Sequence, residues 1–176
     1  MKEYRVSERP DLVAPAVLDA LESWPGTTPL DQFKVLEIDP NFTGTAEFCA
    51  HYDIAPETTA NCVIVEASRG GTKRLAVVVM LASTRADLNT AVRKLLDARR
   101  VSLAPKETAV ELSRMEYGSI TAIGLPADWP LLIDARVMDV PDLVMGGGLV
   151  VSKLRFPGRA LAELPNAQVI PDLAKA

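Results

Sequence analysis

The 176-residue sequence predicts one α+β domain, in which helices cover a mixed, mostly antiparallel sheet. Two observations favour this class. Hairpin-like pairs of strands are interspersed with single amphipathic helices, whereas a doubly wound parallel fold alternates strands and helices. The chain is 48% hydrophobic and 24% charged, which is ordinary for a globular domain with a real core.

The first predicted elements are a helix, a strand and a second helix. Apolar residues recur at helical spacing over residues 10–24, and Pro25-Gly26 ends that helix. Residues 33–38 alternate apolar and polar side chains, as a strand does. Thr45 is a predicted N-cap for a helix over residues 46–52, because its hydroxyl can accept a hydrogen bond from the first turn.

The middle of the chain predicts a hairpin and two helices. Strands at 62–67 and 74–82 flank a Gly70-Gly71 turn, and the second strand is apolar on both faces, which predicts a central position. Residues 87–99 have an apolar helical face and a basic far end, which favours a solvated helix end over a binding surface. A further helix is predicted over 105–114, with proline in its first turn.

The last third predicts three more strands at 131–135, 142–148 and 150–156. The second of these runs into three consecutive glycines. A short helix follows from Pro157, and the remaining tail is predicted to fray.

Composition excludes several functions. The net charge of −4 gives no general basic surface, so any nucleic-acid contact must be local. One histidine, His51, and two cysteines, Cys49 and Cys62, are too few for a zinc site or a supported catalytic triad. We therefore expect no metal and no cofactor. The polar N-terminus has no signal-peptide pattern, and the longest apolar run, 75–82, is too short to span a bilayer. The sequence predicts a cytoplasmic protein without a membrane partner.

The stretch EYGSITAIG at 116–124 is unusual for a simple connector, because glycines bracket a run of small and β-branched residues. Such a segment can bring bare backbone close to a ligand or to another part of the chain. Ser119 and Thr121 could donate hydroxyl hydrogen bonds into a pocket, or they could satisfy the backbone of the turn itself.

Three motifs resemble, in order and spacing, those of the YbaK / prolyl-tRNA synthetase-associated editing domain family. GSITAIG at 118–124 resembles its GG-x-S/T-P-x-G loop, LIDA at 132–135 resembles the strand that follows, and VMGGG at 144–148 resembles its late glycine pair. RADLNTAVRKLL, beginning at Arg85, is similar to its LDLxK-type segment. The resemblance covers residues 33–169 and implies a sheet curled into a partial barrel. We predict an N-terminal helical extension at 1–28 and an editing domain at 29–176.

The resemblance also implies a site. Family members hydrolyse wrongly charged aminoacyl-tRNA, so the loop would line a pocket for the aminoacyl group, with backbone amides facing the ester. Asn61, Gly118 and Asp134 are the implied catalytic positions. The implied substrate-binding residues are Thr45, Ser119, Ile120, Thr121, Gly124, Gly146, Gly147, Gly148 and Lys153.

The sequence departs from the family at three places. The usual lysine at the start of the first hairpin strand is replaced by Asn61, or by Ala60 if the alignment slips by one residue. An asparagine can donate a hydrogen bond but carries no charge. Ala122 replaces the loop proline, and Val150-Val151 follow the glycines where many members have Arg-Gly.

Alternatives stay open at several positions. Asp134 could orient a water or an α-amino group, or it could cap the turn that follows. Lys153 could contact a tRNA phosphate or lie on a solvated strand face, which the sequence favours. Gly146 to Gly148 could border the pocket or bend the sheet. Cys62 is expected to be an inert thiol facing the core if Asn61 faces the pocket.

Two main functional hypotheses follow. The first is trans-acting hydrolysis of the ester in a tRNA misacylated with a small amino acid. The alternative is a catalytically inactive module that binds an aminoacyl group, a nucleotide-like ligand or tRNA. A third hypothesis is that the N-terminal helix binds a partner or a second copy of the chain.

Overall fold

The computed structural model describes residues 1–176. It contains four α-helices: α1 (Pro15–Glu22), α2 (Thr45–Tyr52), α3 (Arg93–Leu95, continuing a π-helical turn at Leu88–Val92) and α4 (Lys106–Ser113). Its strands are β1 (Lys2–Arg5), β2 (Lys34–Glu37), β3 (Ala60–Arg69), β4 (Thr72–Leu81), β5 (Arg85–Ala86), β6 (Arg100–Leu103), β7 (Leu131–Asp134), β8 (Leu143–Gly146), β9 (Ser152–Phe156), β10 (Ala167–Ile170) and β11 (Ala174–Lys175). None of the helices has both the length and the apolar character needed to cross a bilayer.

The strands form two larger sheets and one small ribbon. The first sheet has the order β1-β2-β9-β8 and is antiparallel throughout, and the second has the order β10-β7-β4-β3-β6. In the second sheet β7 is parallel to both of its neighbours. A parallel bridge between Thr59 and Val144 joins the two sheets, and no closed barrel forms. The predicted α+β class with mostly antiparallel pairing is confirmed.

The central hairpin strand β4 explains the layered core. Val77, Val79 and Leu81 point into the main cluster between the two sheets. Val78 and Met80 point to the opposite face, into a second cluster that also contains Leu132, Val92 and Leu96. Because both faces of β4 are buried, a strand that is apolar on both sides is stable at this position. The prediction that this strand is central is confirmed.

Two predicted helices differ from the structure. The helix predicted at 10–24 is a 3₁₀ turn at Pro10–Leu12 followed by α1, because Ala14 precedes Pro15 and adopts an extended conformation. The helix predicted at 87–99 ends at Leu95, and Asp97 has a left-handed backbone with φ 45° that turns the chain into β6. Its basic residues therefore lie on a turn and a strand as well as on the helix.

Both chain ends are more ordered than the sequence predicts. Residues 2–5 form β1 against β2, and the tail that was expected to fray forms β10 beside β7 and β11 beside β5. Leu173 and Ala174 are buried in the second cluster, so tertiary contacts fix a segment with little local preference. Helix α1 belongs to the main cluster, and the division of the chain at residue 28 stays a prediction.

Candidate active site

An open cavity of about 540 Å³ lies where β3, the start of α2 and the Gly118 loop meet. Its wall is largely apolar and also carries an amide, two cationic side chains and three glycines. The lining residues that matter for the chemistry are Thr45, Asn61, Cys62, Arg85, Tyr117, Gly118, Ile120, Gly146 and Lys153. The volume is in the range usual for small-ligand sites.

Asn61 lines this cavity and is oriented by Thr45. The Thr45 hydroxyl donates a 2.7 Å hydrogen bond to Asn61 Oδ1. The two N–H donors of the Asn61 amide therefore remain for other partners. Thr45 is the first residue of α2 and Gly44 occupies the N-cap, so the predicted capping role of Thr45 is wrong. Its hydroxyl orients the site amide instead.

The Gly118 loop alternates between the cavity and the protein interior. Gly118 and Ile120 line the cavity, and a Cβ at Gly118 would only touch Thr43, at 3.6 Å. Ser119 is buried and bonded to the Thr43 hydroxyl at 2.9 Å, while the Thr121 hydroxyl is buried without a hydrogen-bond partner. The structure therefore places neither hydroxyl on the cavity wall.

The remaining glycines mostly serve close packing. Gly124 has φ 92°, and a Cβ there would lie 2.5 Å from the Ala16 carbonyl oxygen of α1. Gly146 lines the cavity, but a Cβ there would lie 2.3 Å from the Ser119 oxygen. Gly147 and Gly148 are outside the lining and pack on Ser152 and Ala14. One end of the loop thus faces the cavity, and the other allows α1 to approach.

Asp134 lies away from the cavity lining. Its buried carboxylate accepts hydrogen bonds from the Arg136 side chain at 2.8 and 2.9 Å and from the Ala174 amide at 2.8 Å. It also caps the 3₁₀ helix at Ala135–Asp139 by accepting from the Arg136 amide. Burial raises the pKa of this carboxyl, but the bonds from Arg136 and Ala174 outweigh burial and hold it below its ordinary value. The structure thus shows that Asp134 caps the turn, and the expectation that it is a catalytic residue is corrected.

Lys153 lies on the cavity wall and is only 2% exposed, contrary to the solvated strand-face alternative. Its ammonium donates a 2.6 Å hydrogen bond to the Thr43 carbonyl and lies 5.4 Å from the centre of the Phe48 ring. Burial lowers the pKa of Lys153 to about 8. The segment from Thr43 to Thr45 therefore contacts Lys153, the Ser119 hydroxyl and Asn61.

The thiols and the histidine have no visible catalytic role. Burial raises the pKa of the Cys62 thiol to about 12, so it is protonated at neutral pH and is a poor nucleophile. Cys62 packs against the main cluster, as expected, but it also lines the cavity, as its backbone neighbour Asn61 does. His51 is exposed in the last turn of α2 and stacks on Phe42 at 3.7 Å. No three acidic, histidine or cysteine side chains group where they could hold a metal ion.

The sequence did not single out the cavity mouth. Tyr117 and Leu103 are 59% and 61% exposed and line the cavity, and Lys106 lies 4.8 Å from the centre of the Tyr117 ring. Arg85, on β5, is a further cation on the wall. Tyr117 directly precedes Gly118, so an exposed aromatic beside the loop was the available signal. No local pattern marks Leu103, because it reaches the cavity through the pairing of β6 with β3.

A second cavity of about 440 Å³ lies on the other side of the Thr45–Asn61 pair, which lines both. Its other walls are Ala46, Cys49, Ala50, Ile54, Pro56 and Ala82. None of these residues is acidic or basic, so this cavity offers packing space and few hydrogen bonds.

The Aminoacyl-tRNA editing domain family matches residues 39–164, which is more than half of the chain. The chain belongs to that family. The match spans α2, the hairpin, the Gly118 loop and Lys153. A comparison with curated proteins finds no match.

Solved structures of similar fold agree with this assignment. A hypothetical protein APE2540 superposes with a TM-score of 0.74 at 23% identity, covering 91% of this chain and 99% of its own. A candidate trans-editing enzyme for prolyl tRNA synthetase gives 0.73 at 18% identity, covering 93% and 99%. A scaffold used for grafting linear epitopes gives 0.75 at 20% identity, covering 93% and 97%. At these identities the likeness concerns the fold.

Proposed function

We propose that the protein is a trans-acting aminoacyl-tRNA deacylase, which hydrolyses the ester between a small amino acid and the 3′ end of a mischarged tRNA. The observation that carries this proposal is that Asn61 and the Gly118 backbone line one cavity in a chain of the editing family. The open mouth gives a single-stranded acceptor end access to that cavity. We place the reaction in the cytoplasm, where charged tRNA is used.

The chemistry we propose is attack by a positioned water. Water adds to the ester carbonyl carbon, the bond from that carbon to the ribose oxygen breaks, and a proton from water ends on that oxygen. The products are the free amino acid and uncharged tRNA. No aspartate, glutamate or histidine lines the cavity, so the proton passes through water or the neighbouring ribose hydroxyl. The protein contributes position and electrostatics.

Two wall features support an aminoacyl substrate. The Asn61 amide has free donors for a carbonyl or ribose oxygen, and the Gly118 backbone has no side chain to obstruct the reacting ester. Beyond them the wall is formed by Ala60, Ile64, Ala104 and Ala109. These apolar side chains suit a small, uncharged amino-acid side chain and offer no partner to a polar one.

The cavity mouth supports contact with the terminal adenosine. The exposed Tyr117 ring, with Leu103 nearby on the same cavity, offers a platform on which a base can stack. Lys106 and Arg85 lie at or near this mouth and can contact the phosphates that follow. A local basic and aromatic surface of this kind is compatible with the net charge of −4.

The test is a deacylation assay with the purified full chain. tRNAs charged with alanine, serine, cysteine and proline are presented separately, in matched and mismatched pairings. Release of amino acid at least tenfold above spontaneous hydrolysis, from at least one mischarged tRNA, is the expected result. Release at the spontaneous rate from every substrate would contradict the proposal.

A second candidate is the catalytically inactive binding module. It is favoured by Asn61, which occupies the position where the resembled family has a lysine. Calorimetry with 3′-aminoacylamino-adenosine, a non-hydrolysable amide analogue, separates the two functions. Binding without turnover favours the module, and the absence of binding contradicts both. Association of two copies stays a prediction, and the apolar face of α1 is already used by the chain's own core.

A further inference from the structure

Lys153 is buried without a counter-ion. No carboxylate lies within salt-bridge distance of its ammonium, and its protein contacts are the Thr43 carbonyl and the face of Phe48. The Cys49 thiol is the only titratable neighbour that changes the pKa of Lys153. A buried cation that lacks an opposite charge disfavours folding, so a purely structural role would be served better by an apolar side chain.

The cavity as a whole is electropositive, although the chain is acidic. The chain has 23 acidic and 19 basic side chains, yet no acidic residue lines the cavity. Its charged lining residues are Lys153 and Arg85, and its other titratable residues are Cys62 and Tyr117. Such a wall favours a ligand that carries, or develops, negative charge.

The Lys153 ammonium has unused donors. An ammonium group carries three N–H donors, and only one of them has a protein acceptor, the carbonyl of Thr43. That bond also fixes the ammonium at the start of α2, two residues from Thr45, which orients Asn61. Lys153 pairs with Gly146, whose missing side chain lets the Ser119 backbone approach this part of the wall.

We propose that Lys153 supplies the positive charge of this site: its ammonium binds the carbonyl oxygen of the aminoacyl ester and stabilises the oxyanion formed when water attacks. This inference rests on the proposed deacylase function. The charge comes from β9, while position 61 on β3 contributes a neutral amide. Lys153 stays protonated throughout, so it neither gains nor loses a proton in the balanced hydrolysis.

The experiment compares Lys153→Met and Lys153→Arg with the wild-type chain on its best mischarged tRNA, from pH 6.5 to 9.5, after subtraction of spontaneous hydrolysis. Lys73→Met is the matched control, since Lys73 is an exposed lysine paired with Glu66 on the hairpin. We expect Lys153→Met to lower kcat at least about 50-fold and Lys73→Met to leave it unchanged.

The pH profile separates catalysis from structure. Because burial places the pKa of Lys153 in the free protein at about 8, wild-type kcat/KM should fall as the pH rises through that value. In Lys153→Arg the guanidinium stays charged, so this fall should disappear while kcat remains within about tenfold. A Lys153→Met variant within threefold of wild type, or an alkaline fall that persists in Lys153→Arg, would overturn the inference.

A second measurement does not depend on turnover. The side-chain NMR signal of Lys153, assigned by its loss in Lys153→Met, is titrated with 3′-aminoacylamino-adenosine. We expect the analogue to raise the pKa of Lys153, because an oxygen acceptor stabilises the ammonium. If the wild type hydrolyses nothing but this rise occurs, the deacylase proposal fails and the binding role of Lys153 stands. An unchanged Lys153 titration, with or without binding, would overturn that role.

Discussion

Two buried charged side chains, both on strands, have opposite surroundings. Asp134 ends β7 and its carboxylate is bonded to the Arg136 guanidinium and the Ala174 amide. Lys153 lies in β9 and its ammonium is bonded only to a neutral carbonyl, that of Thr43. The sequence resemblance pointed to Asp134 as the catalytic residue of this pair. The structure brings only Lys153 to the cavity.

The two surroundings give a buried charge two different roles. A charge whose hydrogen-bonding capacity is used by the chain itself stabilises the fold and has little left for a ligand. A buried charge that lacks an ion partner and keeps free donors lowers stability, and such groups concentrate at functional sites. Asp134 therefore belongs to the architecture, and Lys153 to the proposed site.

Replacing Asp134 should have the largest effect on stability. Asp134→Asn removes the ion pair with Arg136 and weakens the hydrogen bond from the Ala174 amide, which anchors the C-terminal strand. We therefore expect the free energy of unfolding to fall by about 3 kcal/mol. Urea unfolding measures it, with exposed Asp142→Asn as control. Because the folded-state pKa is lowered, this stability is present above pH 3.8 and is lost as the pH falls through the folded-state value. A lower deacylation rate per folded Asp134→Asn molecule would contradict the conclusion that Asp134 serves only the fold.

Lys153→Met should change stability in the opposite direction. The folded-state pKa lies near 8 and the ordinary value is 10.5, so the unfolded chain binds more protons between these values. The free energy of unfolding of the wild type should therefore rise with pH over that window. Below the window it is lowered by the full cost of burying the charged ammonium. We expect the variant to be about 2 kcal/mol more stable at pH 7, after allowing for the unpaired Thr43 carbonyl. Parallel unfolding curves at pH 7 and pH 10 test it. A variant less stable than wild type at pH 7 would mean that Lys153 stabilises the fold, as Asp134 does.

Asn61 tests how much of the site's work a neutral donor does. Asn61→Ala should lower kcat/KM about tenfold and leave stability nearly unchanged, since it removes one hydrogen bond at a cavity edge. Asn61→Lys introduces the residue of the resembled family into the wall of the cavity that Lys153 also lines. We expect slower turnover than in the wild type, because two ammonium groups that line one cavity lower each other's pKa. Steady-state kinetics and thermal melting measure both. If neither variant changes turnover, Asn61 is only a residue at the start of a strand.

Tyr117 should give the smallest effect. Tyr117→Ala removes the exposed ring at the cavity mouth, so we expect KM for mischarged tRNA to rise about fivefold with kcat unchanged. Tyr117→Trp keeps a stacking surface and should retain wild-type KM. Exposed Leu112→Ala, on α4 and outside the cavity lining, is the control. A fall in kcat without a change in KM would contradict a role in holding the terminal base.

Local patterns account for the elements that the sequence predicted well. The Gly70-Gly71 turn lies between two β-rich runs, so β3 and β4 follow from neighbouring residues alone. Asn61 was assigned to the site through the resemblance, and its half-buried position near the start of β3 is compatible with the cavity wall where it lies. The Gly118 loop was singled out by its glycines, of which only one faces the cavity.

The α+β class, the central hairpin and the glycine-bracketed loop could be predicted from local patterns, because hydrophobic period and turn chemistry act over a few neighbouring residues. The pairing of the two chain ends, the capping role of Asp134 and the burial of Lys153 were visible only in three dimensions. These depend on which distant segments meet: Ala174 reaches Asp134, and the Thr43 carbonyl reaches Lys153. A lysine in a strand has the same sequence pattern whether its side chain is exposed to water or covered by the start of a helix.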